Sequence, residues 1–274
     1  MILAGRPRLT GVCLVALAVA IASAGGLRAQ AAETPRRVEL ARIRALADSG
    51  RVAEAREALG AWYASGPAPE GEEASRARFL RARLSANPDS AEADYVWVAI
   101  EGGSAFAPEA WLRLAQLRLL RGDPERALAD LERLRTSYPG DHPRTAESWL
   151  WTGHALEVLG DLEAACEAWG RAAPGEAGTG GVVREARASC DPGSQLFAVQ
   201  LGAFGARSGA ETLRARVEEA GVAAYVMSRG GDGLYRVRTG RFVHMTSAAR
   251  YAEQLRQQGF EAVVVLAASP AGSS

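Results

Sequence analysis

The apolar positions of the chain follow two different spacings. From Glu33 to about Pro192, Ala, Leu, Arg and Glu dominate, and apolar residues recur three and four positions apart, which predicts helices. After Pro192-Gly193-Ser194 the spacing changes to short alternating stretches separated by helical ones. We therefore expect a helical region followed by a smaller domain that mixes strands and helices, with the boundary at this Pro-Gly-Ser stretch.

A short motif recurs inside the helical region. A Gly is followed five positions later by Ala and nine positions later by a large apolar residue, and twice a Trp precedes the Gly by 11 positions. Gly can end one helix in a left-handed turn, and a small Ala lets the next helix approach closely. The motif therefore predicts stacked helical hairpins. Its three copies are Gly50-Ala55-Leu59, Gly122-Ala127-Leu131 with Trp111, and Gly160-Ala165-Trp169 with Trp149.

This motif resembles the tetratricopeptide repeat, a 34-residue helix-turn-helix unit. The wide interval between Gly50 and Gly122 leaves room for one degenerate unit, with helices from Glu72 to Leu84 and from Ser90 to Ile100. The resemblance implies about three and a half hairpins over residues 35–191, stacked into a solenoid that binds a protein partner. A purely structural spacer is the alternative. The Trp residues are expected in the core, with an aromatic ligand groove as the other possibility.

The C-terminal region alternates between strand and helix patterns. Their order, β-α-β-β-α-β, predicts a four-stranded antiparallel sheet with both helices on one face and the other face bare. The predicted fold class is thus an all-α solenoid followed by a small α+β domain. The predicted elements are strands 196–204, 223–228, 234–242 and 262–266, and helices 208–220 and 246–258.

Three segments of this region resemble the SPOR domain: Phe197 to Phe204 (FAVQLGAF), Leu234 to Phe242 (LYRVRTGRF) and Gly259-Phe260. The match covers residues 196–267. It implies a non-catalytic module of bacterial envelope proteins that binds peptidoglycan glycan strands stripped of their stem peptides, which accumulate at division septa. The implied ligand surface is the bare face of the sheet.

The resemblance also suggests site residues. Gln200 and Arg236 match recurrent positions of the family, whereas Ala203 replaces a usual Ser and Leu234 replaces a Trp that matters in some members. Strict alternation predicts that Gly202 points outward with Gln200, and that Ala203 points inward. Solvated strand charges and a backbone-bonded Gln are the alternative interpretations. The predicted glycan-binding set is Gln200, Gly202, Ala203, Leu234, Arg236 and Arg238.

The first 31 residues resemble a secretory signal peptide. Arg6 and Arg8 precede an apolar stretch from Val12 to Ala24, and Ala29-Gln30-Ala31 offers a cleavage site. The stretch is shorter than the ~20 residues of a transmembrane helix, so we expect a periplasmic protein without a stable span; a retained anchor is the alternative. Residues 268–274 are expected to be a disordered tail.

After removal of this segment two cysteines remain, Cys166 and Cys190. In an oxidising compartment they are a candidate disulfide, although two buried free thiols would fit the sequence as well. His142, His154 and His244 lie in separate segments without ligand-like spacing to either cysteine, so no metal site and no cofactor are expected.

Charge separates the two regions. All 32 basic residues are Arg and balance 32 acidic ones, but residues 32–195 carry a net −6 and residues 196–267 a net +3. An RNA-recognition motif shares the strand order but needs an aromatic pair on its bare sheet, which the predicted outward positions lack, so no nucleic-acid partner is expected.

No pair of placed carboxylates and no Ser-His-Asp arrangement indicates catalysis, so an enzyme is not expected. The sequence favours an exported envelope protein in cell division or envelope maintenance. Two alternatives stay open. One is a scaffold whose repeats carry the main activity while the sheet binds glycan weakly. The other is an accessory factor of a peptidoglycan hydrolase.

Overall fold

The computed structural model describes residues 35–100, 105–139, 142–172, 179–191, 193–228 and 231–267. The predicted signal peptide (residues 1–31) and the predicted tail (residues 268–274) lie outside these ranges. Along the described parts of the chain, no helix combines the length and the apolar character needed to cross a membrane.

The helical region forms four helical hairpins, and one further helix follows them within the described residues. The fold class predicted for this part is confirmed, the degenerate unit contains its two predicted helices, and the described residues hold four hairpins where about three and a half were expected. The pairs are α1 (Pro35–Asp48) with α2 (Val52–Ala64), α3 (Gly71–Leu84) with α4 (Pro88–Ile100), α5 (Ala107–Leu120) with α6 (Pro124–Ser137), and α7 (Pro143–Val158) with α8 (Leu162–Arg171), followed by α9 (Thr179–Ala188).

The repeated Gly residues occupy the turns inside three of these hairpins. Gly50, Gly122 and Gly160 have φ angles of 80°, 79° and 82°, a left-handed conformation that Gly adopts without steric cost. The Ala of each motif copy is completely buried where the second helix approaches the first. The hairpin of α3 and α4 lacks this Gly, and α4 begins instead where the Asn87 side chain accepts hydrogen bonds from the Asp89 and Ser90 backbone N–H groups.

The C-terminal region forms the predicted antiparallel sheet, with strand order β2-β3-β1-β4. Both helices of this region pack on one side of the sheet, around a core that includes Val199, Val237, Val217 and Leu255. The predicted fold class is therefore also confirmed here. The elements are β1 (Phe197–Phe204), α10 (Arg207–Glu219), β2 (Ala224–Met227), β3 (Tyr235–Phe242), α11 (Met245–Gln257) and β4 (Val263–Leu266).

The last helices of the stack pack directly against one end of the sheet. Leu196 before β1, Val243 after β3 and Ala267 after β4 join an apolar cluster with Leu150 and Leu162 of the helical stack. The two parts thus share buried apolar surface and are not merely tethered. We call this contact the junction.

A buried carboxylate lies at the centre of the junction. Glu157 of α7 is 2% exposed, and its Oε1 accepts hydrogen bonds of 3.1 Å from the backbone N–H groups of both Val243 and His244. Its Oε2 accepts a 2.8 Å hydrogen bond from the Ser247 hydroxyl. These donors are at the N-terminus of α11, where the helix dipole favours a negative charge. A side chain of the helical stack therefore caps a helix of the sheet domain.

Gly160 serves the junction as well as its own turn. Its carbonyl oxygen accepts a 2.9 Å hydrogen bond from the Arg241 backbone N–H. A Cβ atom at Gly160 would lie 2.9 Å from the Gly240 Cα and 2.8 Å from the Phe242 Cζ, closer than carbon atoms normally approach. Gly is thus required at this position both by its φ angle and by the backbone of β3.

A disulfide closes the helical stack just before the sheet. Cys166 of α8 and Cys190 after α9 are bonded, with their Cα atoms 5.8 Å apart. Arg187 of α9 also donates hydrogen bonds to the carbonyl oxygens of Trp169 and Ala172 at the end of α8. These bonds fix α9 on the end of the stack, immediately before the chain enters β1.

Replacing Glu157 should destabilise both parts of the protein together. In Glu157→Ala the junction donors lose their acceptor in a buried site, so we expect the free energy of unfolding to fall by about 3 kcal/mol. Glu157→Gln retains an oxygen acceptor and should lose less. Denaturant unfolding, followed by circular dichroism, measures the change; Glu167→Ala, an exposed change on α8, is the control. A loss for Glu157→Ala no larger than for Glu167→Ala would contradict the capping role.

Gly122 and Gly160 occupy equivalent turns of two repeats, but only Gly160 also contacts β3. Substituting each in turn therefore separates the cost of the turn conformation from the cost of disturbing the junction. Gly122→Ala should cost about 1 kcal/mol, because its φ is positive but a Cβ atom added there would meet no atom within 4 Å. Gly160→Ala should cost about 2 kcal/mol more, because the new methyl group also collides with β3. Thermal unfolding of both variants gives the comparison. Equal losses would show that β3 does not lie against this turn.

Candidate functional site

The side of the sheet opposite α10 and α11 is solvent-accessible, and we call it the open face. Strand register places one residue from each strand in a row across it: Tyr225 of β2 pairs with Arg238 of β3, Arg238 with Gln200 of β1, and Gln200 with Val263 of β4. The exposed fractions of the two outer residues, Tyr225 and Val263, are 39% and 63%. The row therefore presents an amide and a guanidinium between an aromatic and an aliphatic side chain.

A β-bulge in β1 changes which residues reach the open face. Gln200 pairs with Arg238, but the next pair is Gly202 with Val237, so Leu201 is an extra residue in β1. A Cβ atom at Gly202 would lie 2.9 Å from the Leu213 Cδ2 of α10, which shows that Gly202 faces the helices. The prediction that Gly202 points outward is therefore wrong.

The same bulge corrects the prediction for Ala203. This residue pairs with Arg236 and is exposed, so it lies on the open face instead of pointing inward as strict alternation predicted. On the other side of Arg236, Met227 of β2 completes a second, shorter row. The open face thus carries two rows, one centred on Arg238 and one on Arg236.

Arg238 lies across the middle of the open face. Its Nε donates a 3.4 Å hydrogen bond to the Gln200 Oε1, and its NH1 donates a 3.3 Å hydrogen bond to the Leu266 carbonyl oxygen on β4. Because β1 lies between β3 and β4, this side chain connects two strands that are not neighbours in the sheet. Partial burial lowers the pKa of Arg238, and no carboxylate among the described residues pairs with it. Arg238 is thus a cation held in place by neutral oxygens.

Arg236 has a different environment. Its guanidinium binds both carboxylate oxygens of Asp232, in the turn between β2 and β3, and this hydrogen bonding lowers the pKa of Asp232. Leu234 lies in the same turn, where its backbone N–H donates to Asp232 and its carbonyl oxygen accepts from Arg236. The charge of Arg236 is therefore already compensated at the edge of the open face. The resemblance had matched Arg236, and not Arg238, to a recurrent position of the family.

Tyr225 is a candidate site residue that the sequence interpretation missed. Burial raises the pKa of its phenol, while the positive charges of Arg238 and Arg241 act in the opposite direction. The signal was available in the alternation of β2, in which Tyr225 and Met227 are separated by the inward Val226. Tyr225 places an aromatic ring on the open face, although Leu234 supplies none at its own position.

The Trp residues of the repeats lie mainly in or against the core. Trp111 and Trp169 are buried, as expected of core residues, while Trp97, Trp149 and Trp151 are half-buried. Over the described ranges, no group of three or more His, Cys, Asp or Glu side chains could hold a metal ion.

Together these features define a helical-repeat stack joined to a small sheet domain with one open face. Residues 193–266 match the family model of the SPOR domain, and residues 109–141 and 140–181 match two models of the tetratricopeptide repeat. The chain therefore contains a C-terminal SPOR domain preceded by tetratricopeptide repeats, both of which are families of binding domains. The resemblance found in the sequence is confirmed.

Among solved structures, the chain is similar to the peptidoglycan binding domain of the B. subtilis cell wall lytic enzyme CwlC. The sequences are 35% identical, the match covers 27% of this chain and 92% of that domain, and the TM-score is 0.25. No curated protein matches the chain.

The row geometry predicts that the charge of Arg238 affects the pKa of Tyr225. Because a neighbouring cation stabilises the phenolate, Arg238→Gln should raise the pKa of Tyr225 further. An NMR pH titration measures this shift, with the signal assigned by Tyr225→Phe. Arg250→Gln, an exposed change on α11, should leave the pKa of Tyr225 unchanged. An unchanged pKa in Arg238→Gln would contradict the pairing of these two side chains.

Proposed function

We propose that the protein is a non-catalytic component of the bacterial cell envelope that binds peptidoglycan glycan strands on the open face of its SPOR domain. The observation that carries this proposal is the row formed by Tyr225, Arg238, Gln200 and Val263. Membership of residues 193–266 in the SPOR family supports the ligand class.

The chemistry of the row suits a sugar chain. A sugar ring has apolar faces that can lie on an aromatic side chain such as Tyr225, and its hydroxyl and acetamido groups exchange hydrogen bonds with amide and guanidinium groups. The row extends across all four strands, so an extended polymer can contact several of its side chains at once.

The repeats would supply a protein-binding surface in the same molecule. Leu120 at the end of α5 is 82% exposed and Ile100 at the end of α4 is 60% exposed. Stacked helical repeats form extended surfaces that typically bind other polypeptides, and these two side chains would add apolar contact area there. We infer that the repeats bind a protein partner while the open face holds the glycan.

The proposed location follows from the predicted signal peptide and the proposed ligand. We propose a periplasmic protein enriched at the division septum, where glycan strands without stem peptides accumulate. The mildly basic sheet domain would favour an anionic envelope polymer over a neutral one.

Binding to sacculi tests the proposal. The chain from residue 32 onward should cosediment more strongly with amidase-treated sacculi than with untreated ones. Tyr225→Ala and Gln200→Ala should each weaken this binding by about tenfold, because each removes a contact of about 1.4 kcal/mol. Gln257→Ala, an exposed change on α11, is the matched control for Gln200→Ala.

Three results would count against the proposal. Absence of saturable binding to either preparation would remove the glycan function. Equal binding to both would remove the preference for strands without peptides. Full binding by both open-face variants would place the ligand elsewhere on the molecule.

A further inference from the structure

At the centre of the open face the positive charge lies on Arg238, while Arg241, exposed at the end of β3, also acts on Tyr225. Arg236 is paired with Asp232, whereas the described structure offers Arg238 only the neutral oxygens of Gln200 and Leu266. The other ion pairs of the sheet domain lie on the helices: Glu211 and Glu218 bind Arg207 or Arg214 on α10, and Glu253 binds Arg256 on α11. The centre of the open face therefore carries a cation that no carboxylate of the described chain compensates.

The glycan itself offers one kind of anion. In peptidoglycan, every second sugar carries a lactyl ether whose carboxyl group forms an amide bond with the stem peptide. Hydrolysis of that amide adds water across the bond, leaving a free carboxylate on the sugar chain and an amine on the released peptide. A stripped strand thus gains one negative charge per disaccharide at an atom that is neutral in an intact strand.

We propose that Arg238 pairs with this lactyl carboxylate and that the pairing makes the open face selective for stripped strands. This inference rests on the proposed glycan function and adds its recognition chemistry. It differs from selection by shape, in which removal of the peptide merely makes room for the protein.

The geometry of Arg238 fits this role. Both of its hydrogen bonds are long, and both acceptors are neutral, so a carboxylate can replace either of them at little cost. The guanidinium has five N–H donors, of which its Nε and one of its NH1 donors are used within the described structure, so donors remain for a carboxylate. Its neighbours across the row, Tyr225 and Gln200, can hold the sugar ring that bears the lactyl group.

Arg236 is the weaker candidate for the same contact. Its carboxylate partner Asp232 lies in the turn just before β3 and binds it with both oxygens. A lactyl group would have to displace this local partner before it could bind. Recognition of the charge is therefore assigned to Arg238, and Arg236 is left to shape the edge of the face.

A ligand without the lactyl charge distinguishes recognition of the carboxylate from recognition of the shape of the stripped strand. Amidase-treated glycan strands are compared with the same strands after carbodiimide coupling to methylamine, which converts each lactyl carboxylate to a small neutral amide. Affinities are measured with the chain from residue 32 onward at low and at high salt. We expect the wild type to bind the methylamide about tenfold more weakly, as for loss of one charge-assisted hydrogen bond, and we expect that ratio to shrink at high salt.

Variants assign the effect to one residue. Arg238→Gln should bind the free-acid strands only as strongly as the methylamide, so the ratio of its two affinities should fall to about one, whatever the variant loses in overall glycan binding. Arg238→Lys should keep part of the preference for free-acid strands, because Lys retains the positive charge but lacks the paired N–H donors of the planar guanidinium. Arg250→Gln on α11 should retain the full preference, and circular dichroism verifies that each variant is folded.

The possible results test carboxylate recognition by Arg238 separately from glycan binding on the open face. Equal wild-type affinity for the free acid and the methylamide would overturn carboxylate recognition while leaving glycan binding intact. Retention of the full preference by folded Arg238→Gln would also overturn it. If neither strand bound, the proposed function itself would fail.

Discussion

The burial of one carboxylate constrains how the whole chain is arranged. Glu157 is almost completely buried, and its hydrogen-bond donors in the junction all belong to the sheet domain. A buried charge is tolerated only when its partners are in place, so separating the two parts would strand the carboxylate as well as three donors. The junction therefore combines apolar packing with hydrogen bonds that allow only one arrangement of the two parts. The orientation of the sheet relative to the repeats is thus part of the fold.

This orientation decides which surface remains for a ligand. The stack contacts the sheet at the end where β1 begins and β3 finishes, and α10 and α11 cover one side, so the other side is left accessible. Across that side the pairing of four strands brings together residues far apart in sequence, such as Gln200 and Arg238. The site is thus a property of strand register, and the bulge at Leu201 is as much a part of it as any polar side chain.

Local signals in the sequence predicted most of the fold. Gly50, Gly122 and Gly160 indicated the turns because few residues tolerate their φ angles, and the strand order followed from alternation and turn residues. The bulge in β1 was not predictable from alternation, since an extra residue reverses every later side chain. The capping of α11 by Glu157 depends on a contact between residues nearly 90 positions apart, for which one sequence carries no pattern. The pairing of Arg236 with Asp232 was easier to predict, because the two residues are only four positions apart in sequence.

The disulfide has a consequence for how the molecule would bear mechanical load. If the polymer held the sheet while a partner held the repeats, tension would pass along the backbone to Cys166 and then cross directly to Cys190. The chain between these two cysteines, including α9, would be bypassed and left slack. A covalent bridge at this point would therefore keep α9 out of the load-bearing path between the wall and the partner.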